Sequence, residues 1–254
     1  MERKLFPSRE KARAAVMTGR ILIGGKKETK AGTMLADDVK IEIIGDDPPF
    51  VSRGGLKLAK AVKRFGLDFT GKTVLDIGAS TGGFTDCALQ NGAKKVYAVD
   101  VGYGQLAWSL RSDDRVVVLE KTNARYLTAE QVPEQADIIV MDASFISLKK
   151  LIPPLKSFLK DDGYFVALIK PQFEAGKEKV GKKGVVRDPA VHIKVIEDLL
   201  VFFEAEGLAA EELTFSPIKG PEGNREYLVK LGREKRSAPL TPTAELVAAA
   251  FEEI

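Results

Sequence analysis

The chain has 254 residues, 44% of them apolar and 30% charged, the balance of a soluble globular protein with room for one large α/β domain or a small domain joined to a medium one. Its one cysteine, Cys87, excludes an intramolecular disulfide, and its one histidine, His192, speaks against a His-rich metal site. The net charge of +3 conceals an asymmetry, because residues 1–65 hold 15 Lys and Arg against 8 Asp and Glu while the remainder holds 24 against 28. A basic N-terminal piece on a mildly acidic body points to an anionic partner gripped at one end. No apolar run reaches the ~18–20 residues of a bilayer span and no signal-peptide pattern opens the chain, so a cytoplasmic protein without membrane contact or bound metal is expected.

Ser8 is a good N-cap for a helix from Arg9 to Gly19, with Ala12, Ala15 and Val16 inward and Arg9, Lys11, Arg13 and Arg20 outward. Arg20-Ile21-Leu22-Ile23 reads as a strand, Gly24-Gly25 as a tight turn, Lys26–Lys30 as the return, and Val39–Ile44 as a further strand. Asp46-Asp47-Pro48-Pro49 is a linker. The stretch Leu5 to Arg13, followed by Gly19-Arg20-Ile21-Leu22-Ile23-Gly24-Gly25, resembles the small RNA-binding module called the S-four domain. Such modules usually begin one or two apolar helical turns earlier, so the expected module is incomplete at its N-terminus. Residues 1–46 are assigned to it, 47–65 to a linker and a helix ahead of the sheet, and 66–254 to a second domain.

From Thr73 the pattern alternates. Thr73–Gly78, Lys95–Asp100, Arg115–Leu119, Asp137–Met141 and Tyr164–Ile169 are short apolar runs of buried parallel-strand type. Helical stretches at Thr81–Asn91, Gly104–Leu110, Leu148–Leu159 and Asp188–Glu206 separate or follow them. Glu211–Pro217 and Arg225–Leu231 are joined by a loop too short for a helical crossover and should pair antiparallel. A mostly parallel α/β sheet ending in an antiparallel hairpin resembles the class I, Rossmann-like methyltransferases that use S-adenosylmethionine. Leu246, Val247, Ala250 and Phe251 mark a final amphipathic helix opened by Thr241-Pro242.

Asp76-Ile77-Gly78-Ala79-Ser80-Thr81-Gly82-Gly83-Phe84 runs from strand through glycine loop into helix, where small residues admit a close ligand and the helix start offers free N–H groups. Asp100 ends the next strand, placed for a ribose diol. The loop lacks the spaced glycines of a dinucleotide fingerprint and resembles that of FtsJ-like RNA 2′-O-methyltransferases. Asp76, Gly78, Ser80, Gly82, Gly83, Phe84, Asp100, Asn123 and Asp142 are the expected cofactor-binding residues, Asn123 being an amide where many class I enzymes carry an acid.

Lys57, Asp142, Lys170 and Glu226 complete the pattern. Asp142 and Lys170 end the fourth and fifth strands, whose carboxyl ends flank the ligand crevice, and Glu226 opens the strand expected beside the fifth. A ribose 2′-hydroxyl is almost wholly protonated at neutral pH, so its methylation needs orientation and a proton acceptor. Lys170 is read as that base, Lys57 as its tuning, substrate-side partner, and the two acids as orienting both ammonium groups. The order Lys, Asp, Lys, Glu resembles the FtsJ-like catalytic tetrad. The flanks Ser52-Arg53-Gly54-Gly55-Leu56-Lys57-Leu58, Lys170-Pro171-Gln172-Phe173-Glu174, Gly184-Val185-Val186-Arg187-Asp188 and Gly220-Pro221-Glu222-Gly223-Asn224-Arg225-Glu226 resemble the TlyA family. That resemblance implies 2′-O-methylation of cytidines in ribosomal RNA, with ribosomal RNA or subunits rather than DNA as partner.

Arg9, Lys11, Arg13, Arg20 and Arg53, with Lys177, Lys179, Lys182, Lys183 and Arg187 of the glycine-spaced basic loop after Lys170, are the candidate RNA contacts. His192 is read as a surface or packing residue, and Cys87 and Trp108 as core. Three other readings stand beside the RNA-methylating enzyme: an enzyme methylating a small molecule or protein, which leaves the basic N-terminal piece unexplained; a haemolysin or membrane-active protein, as the family is often labelled; and an RNA-binding assembly factor with an inactive fold.

Overall fold

The computed structural model describes the chain except residues 1, 2, 4, 7, 18, 37, 46, 47, 221 and 234–238 and the side chains of Glu10 and Ala14. The expected domain boundary with linker residues Asp46 and Asp47 therefore lies outside the described residues, as do Pro7 and Pro221 of the quoted motifs.

The N-terminal segment folds as helix α1 (Arg9–Met17) and a three-stranded antiparallel sheet of β1 (Ile21–Ile23), β2 (Lys26–Glu28) and β3 (Ile41–Ile43), with β1 in the middle. Ser8 caps α1, its Oγ accepting from the Lys11 N–H at 3.2 Å. The β2 return is shorter than expected because the Glu28 carboxylate accepts from the Thr29 and Lys30 N–H groups and turns the chain out of the ladder.

The remainder is one seven-stranded sheet. Its strands are β4 (Thr73–Ile77), β5 (Lys95–Val99), β6 (Val116–Leu119), β7 (Ala136–Met141), β8 (Leu159–Ile169), β9 (Ala209–Phe215) and β10 (Tyr227–Gly232). They lie in the order β6-β5-β4-β7-β8-β10-β9, with β10 slotted antiparallel between β8 and β9. This is the expected sheet, and the hairpin pairs as read.

The period of two divides the core. Leu75 and Ile77, Ile139 and Met141, and Phe165, Ala167 and Ile169 join one apolar cluster. Val74, Ile138 and Val140, and Val166 and Leu168 join the other. The first cluster is covered by α5 (Leu148–Leu155), α7 (Pro189–Ala205) and α8 (Thr243–Glu253), the second by α2 (Gly54–Phe65), α3 (Gly83–Gln90) and the short α4 (Trp108–Arg111). A last short helix, α6 (Pro171–Glu174), follows β8.

Several expected bounds move. The helix expected from Gly104 begins at Trp108, because Gly104 takes φ +69° and its N–H is bound by the Glu120 carboxylate at 2.9 Å. Trp108 is consequently 66% exposed, and the core assignment made from sequence is corrected. The helix from Leu148 stops at Leu155 after Pro153 and Pro154, which supply no N–H, and β8 starts at Leu159, not Tyr164. Cys87 is buried, as read, and His192 is fully buried.

Candidate active site

The carboxyl edge of the sheet gathers the chemistry-bearing residues. Between β4 and α3, Gly78 lies against the loop after β7, and a Cβ there would sit 2.9 Å from the Asp142 carbonyl oxygen and 3.0 Å from the Ala143 Cα. The two loops can therefore meet only backbone to backbone. Asp100 uses both carboxylate oxygens on that loop system, accepting from the Ser80 N–H at 2.8 Å and the Gly102 N–H at 2.7 Å. Asn123 caps the short turn Ala124–Tyr126, its side chain accepting from the Arg125 N–H at 3.1 Å.

Asp76 is wholly buried on the strand leading into the loop. Its Oδ2 accepts from the Thr85 hydroxyl at 2.6 Å, while Oδ1 has no hydrogen-bond partner. Burial pushes its pKa up to about 7, against the Thr85 hydrogen bond and helped by the Asp142 charge. A buried acceptor left unmatched beside a backbone cradle fits a ligand that brings its own N–H or ammonium donor.

Three further loop residues are packed against neighbouring helices. A Cβ on Gly83 would sit 2.6 Å from the Gly55 N, so this glycine lets α3 press against α2, and Phe84 is 3% exposed within the second apolar cluster. Gly82 is kept small by Leu110 and Leu106, which its absent Cβ would strike.

On the other half of the edge four charges converge. Lys170 Nζ lies 2.6 Å from Asp142 Oδ1, Lys57 Nζ lies 3.3 Å from Asp142 Oδ2, and Lys57 Nζ lies 2.7 Å from Glu226 Oε2. The last contact is short but poorly aligned for a hydrogen bond, so its strength is mainly coulombic. Asp142 thus bridges both lysines, whereas Glu226 pairs with Lys57, so the even orientation of both ammonium groups expected from sequence becomes a chain of four. Lys57 and Lys170 are each 6% exposed and Glu226 1%. Burial opposes the charge on Lys57, but Asp142 and Glu226 outweigh it and hold its pKa above the usual lysine value.

Each member is placed by its element. Lys57 stands on the buried face of α2 among Gly55, Leu58 and Ala61. The Asp142 N–H donates to the Ile77 carbonyl at 3.0 Å, Lys170 follows β8, and Glu226 precedes β10, its carbonyl accepting from the Ser216 N–H at 2.8 Å.

An FtsJ-like methyltransferase family model matches residues 50–233. YqxC of Bacillus subtilis, described as an rRNA methyltransferase, is 49% identical over 245 residues, spanning 94% of this chain and 87% of its own. The 16S/23S rRNA (cytidine-2′-O)-methyltransferase TlyA of Mycobacterium tuberculosis is 43% identical over 232 residues, 91% of this chain and 87% of its own. This chain belongs to the FtsJ-like methyltransferases of the TlyA family. A solved structure from Streptococcus thermophilus described as a hemolysin superposes with a TM-score of 0.80 at 44% identity, covering 99% of this chain and 93% of that one. The enzyme is a methyltransferase that uses S-adenosylmethionine, for which the Asp76 acceptor and the Gly78 cradle are suited.

Beyond the tetrad, the methyltransferase edge carries residues that sequence reasoning passed over. Ser144 Oγ accepts from Lys170 Nζ at 2.9 Å. A cavity of about 300 Å³ is lined by Arg125, Phe145, Ile146, Ser147, Lys150 and Phe173. Phe145 is 91% exposed at φ +64°, with its ring centroid 5.1 Å from that of Phe173. Glu174 ties the two walls, accepting from Ser147 Oγ at 2.6 Å and the Leu148 N–H at 2.7 Å. The signal available in the sequence was position alone, directly after Asp142 and Lys170.

Of the basic candidates, Arg9, Lys11, Arg13, Arg53, Lys177, Lys179, Lys182, Lys183 and Arg187 are exposed. Arg20 is half-buried rather than outward, its guanidinium donating to the Ile44 carbonyl at 3.1 Å and the Gly45 carbonyl at 2.7 Å and holding β1 to the chain after β3. The exit of the basic loop is clamped beside Glu226. Asn224 accepts from the Val186 N–H at 3.0 Å and donates to the Gly184 carbonyl at 2.8 Å. His192 Nε2 must donate to the Val186 carbonyl, at 2.9 Å, which leaves Nδ1 to accept from the Tyr227 hydroxyl, also at 2.9 Å. Burial pushes the His192 pKa below the ordinary histidine value, which favours this neutral ring.

Proposed function

We propose that the enzyme methylates the 2′-hydroxyl of cytidine in ribosomal RNA, with ribosomal subunits or their RNA as substrate, in the cytoplasm and without a role on DNA or membranes. The observation that carries this reading is the chain Lys170–Asp142–Lys57–Glu226 at the carboxyl edge beside the cofactor cradle. It supplies what an unactivated hydroxyl lacks: an amine to take the proton, held in place by a carboxylate, with a second, permanently charged lysine behind it.

S-adenosylmethionine supplies an electrophilic methyl group on a sulfonium. Asp76 and the backbone of Gly78 and Ser80 would hold it, with Asp100 and Asn123 shaping the adenosine side and Gly82, Gly83 and Phe84 fixing the loop against α2 and α4. Lys170 takes the proton of the 2′-hydroxyl. Asp142 orients Lys170 and Lys57 together, and Glu226 keeps Lys57 charged beside the substrate. Two carboxylates, Asp142 and Glu226, keep Lys57 protonated, and Lys170, which pairs with Asp142 alone and reaches the hydroxyl of exposed Ser144, is assigned the base role. Residues 1–46 serve as an S-four RNA-binding module, 47–65 as linker and Lys57-bearing helix, and 66–254 as the methyltransferase domain. Arg9, Lys11, Arg13 and Arg53 and the exposed loop cations Lys177, Lys179, Lys182, Lys183 and Arg187 grip phosphate, which positions the RNA without reading its sequence.

Among the described residues no helix is long and apolar enough to cross a membrane. The test is transfer of labelled methyl to isolated small and large subunits and to their stripped RNA, followed by nucleoside analysis. Label in 2′-O-methylcytidine is expected. Label in base-methylated nucleosides or in protein would overturn the proposal.

A further inference from the structure

Lys170 has an acceptor for every N–H of its ammonium form. Nζ meets Asp142 Oδ1 at 2.6 Å, Ser144 Oγ at 2.9 Å and the Asp142 carbonyl at 3.4 Å. In the neutral form, the one able to take a proton, the amine has a lone pair that must face a donor. A carboxylate and a carbonyl only accept. The serine hydroxyl alone of the three can accept from the ammonium and donate to the amine.

Position adds to this. Lys170 is 6% exposed, sunk behind its partners, while Ser144 is exposed on the loop after β7. The next residue, Phe145, takes φ +64° and turns the chain at the mouth of the cleft. The exposed Ser144 residue is thus the more accessible of the two to an RNA substrate too large to enter the protein.

We propose that Ser144 is a catalytic residue that relays the ribose proton to Lys170, an inference that rests on the reading of Lys170 as the base. The 2′-O–H bond breaks and its proton passes to Ser144 Oγ, while the Ser144 hydroxyl proton passes to the Lys170 lone pair. The electron pair released on the ribose oxygen forms the new bond to the methyl carbon, and the methyl–sulfur bond breaks with its electron pair left on sulfur. A sulfonium and a neutral amine become a thioether and an ammonium, so charge balances, and Ser144 ends the turn as a hydroxyl. Lys170 is then an ammonium with its three acceptors already in place.

The experiment compares wild type, Ser144→Ala, Ser144→Thr and Lys170→Ala in methyl transfer to ribosomal subunits, with cofactor and RNA binding measured separately. Ser144→Ala is expected to lower kcat at least about tenfold, a fraction of what a positioned base contributes, with cofactor Kd and RNA KM unchanged. Ser144→Thr restores most of the loss. Single-turnover rates in mixtures of light and heavy water should change from the curved dependence of two protons in flight to the straight line of one. Wild-type kcat in Ser144→Ala, an unchanged isotope dependence, or weakened cofactor or RNA binding as the only defect would overturn the relay. Lys170→Ala separates the two claims: if it transfers methyl at the wild-type rate, the base reading itself fails, whereas a Lys170→Ala slowed by about 10²–10⁴-fold beside a normal Ser144→Ala sinks the relay alone.

Discussion

The two halves of the sheet's carboxyl edge are built on opposite principles. Around β4 and β5 the acids are held by backbone N–H groups and a hydroxyl, and Asp76 keeps a buried oxygen with no donor. Around β7, β8 and β10 two lysines and two acids compensate one another almost completely out of water. The first half has an unmet demand for a donor and so is made to receive a ligand. The second balances its charges internally and so can keep two lysines and two acids together at low exposure. Glu226 Oε2 is held there by Lys57 as an ion pair, although Glu226 Oε2 and Gln172 Oε1 lack a hydrogen bond.

That contrast can be broken from either side. The largest effect is expected at Glu226, because its loss leaves the buried Lys57 with half its counter-charge. Glu226→Ala should cost about 3–5 kcal/mol in urea unfolding, as removing one partner of a buried pair does. A loss below about 1 kcal/mol would place the pair in the weak class of solvated surface bridges.

The cofactor half predicts the reverse sign. An acid whose folded pKa is raised from 3.8 to about 7 destabilises the protein progressively as pH rises through that window, and not further above it. Asp76→Asn should therefore gain on wild type by up to about 4 kcal/mol between pH 4 and pH 7 in the ligand-free protein, while binding S-adenosylmethionine more weakly. Parallel stability curves for the two proteins across that range would refute the unmet-demand account.

A smaller effect is expected at the clamp behind Glu226. His192→Ala removes the hydrogen bonds to Val186 and Tyr227 from a buried site and should cost about 1–3 kcal/mol. The mildest is on the surface. Charge reversal at Lys182 and Lys183 should leave unfolding midpoints unchanged and weaken RNA binding with a shallower salt dependence, read by filter binding from low to moderate salt. A salt slope equal to wild type would remove the basic loop from the RNA interface.

Much of this edge was legible because its residues break the local pattern. Lys57 stands out as a lysine beside Leu58 and Ala61 on the apolar face of α2, and Asp76 as an acid inside a buried strand. The short apolar runs of the strands and the short connection read after Pro217 foretold the sheet and its antiparallel strand. What escaped was set by distant partners. Gly83 belongs to a helix contact with Gly55, Arg20 to the carbonyls of Ile44 and Gly45, and the exposure of Trp108 to a loop held by Glu120. Ser144 carries no local mark, because only the fold places it beside Lys170.

The central claim is that Lys170 accepts the proton of the substrate hydroxyl while the other half of the edge holds the cofactor independently. The most direct measurement is single-turnover methyl transfer to ribosomal RNA by Lys170→Ala beside cofactor affinity of the same protein. The account predicts a rate lower by about 10²–10⁴-fold with cofactor binding unchanged. Transfer at the wild-type rate would contradict it.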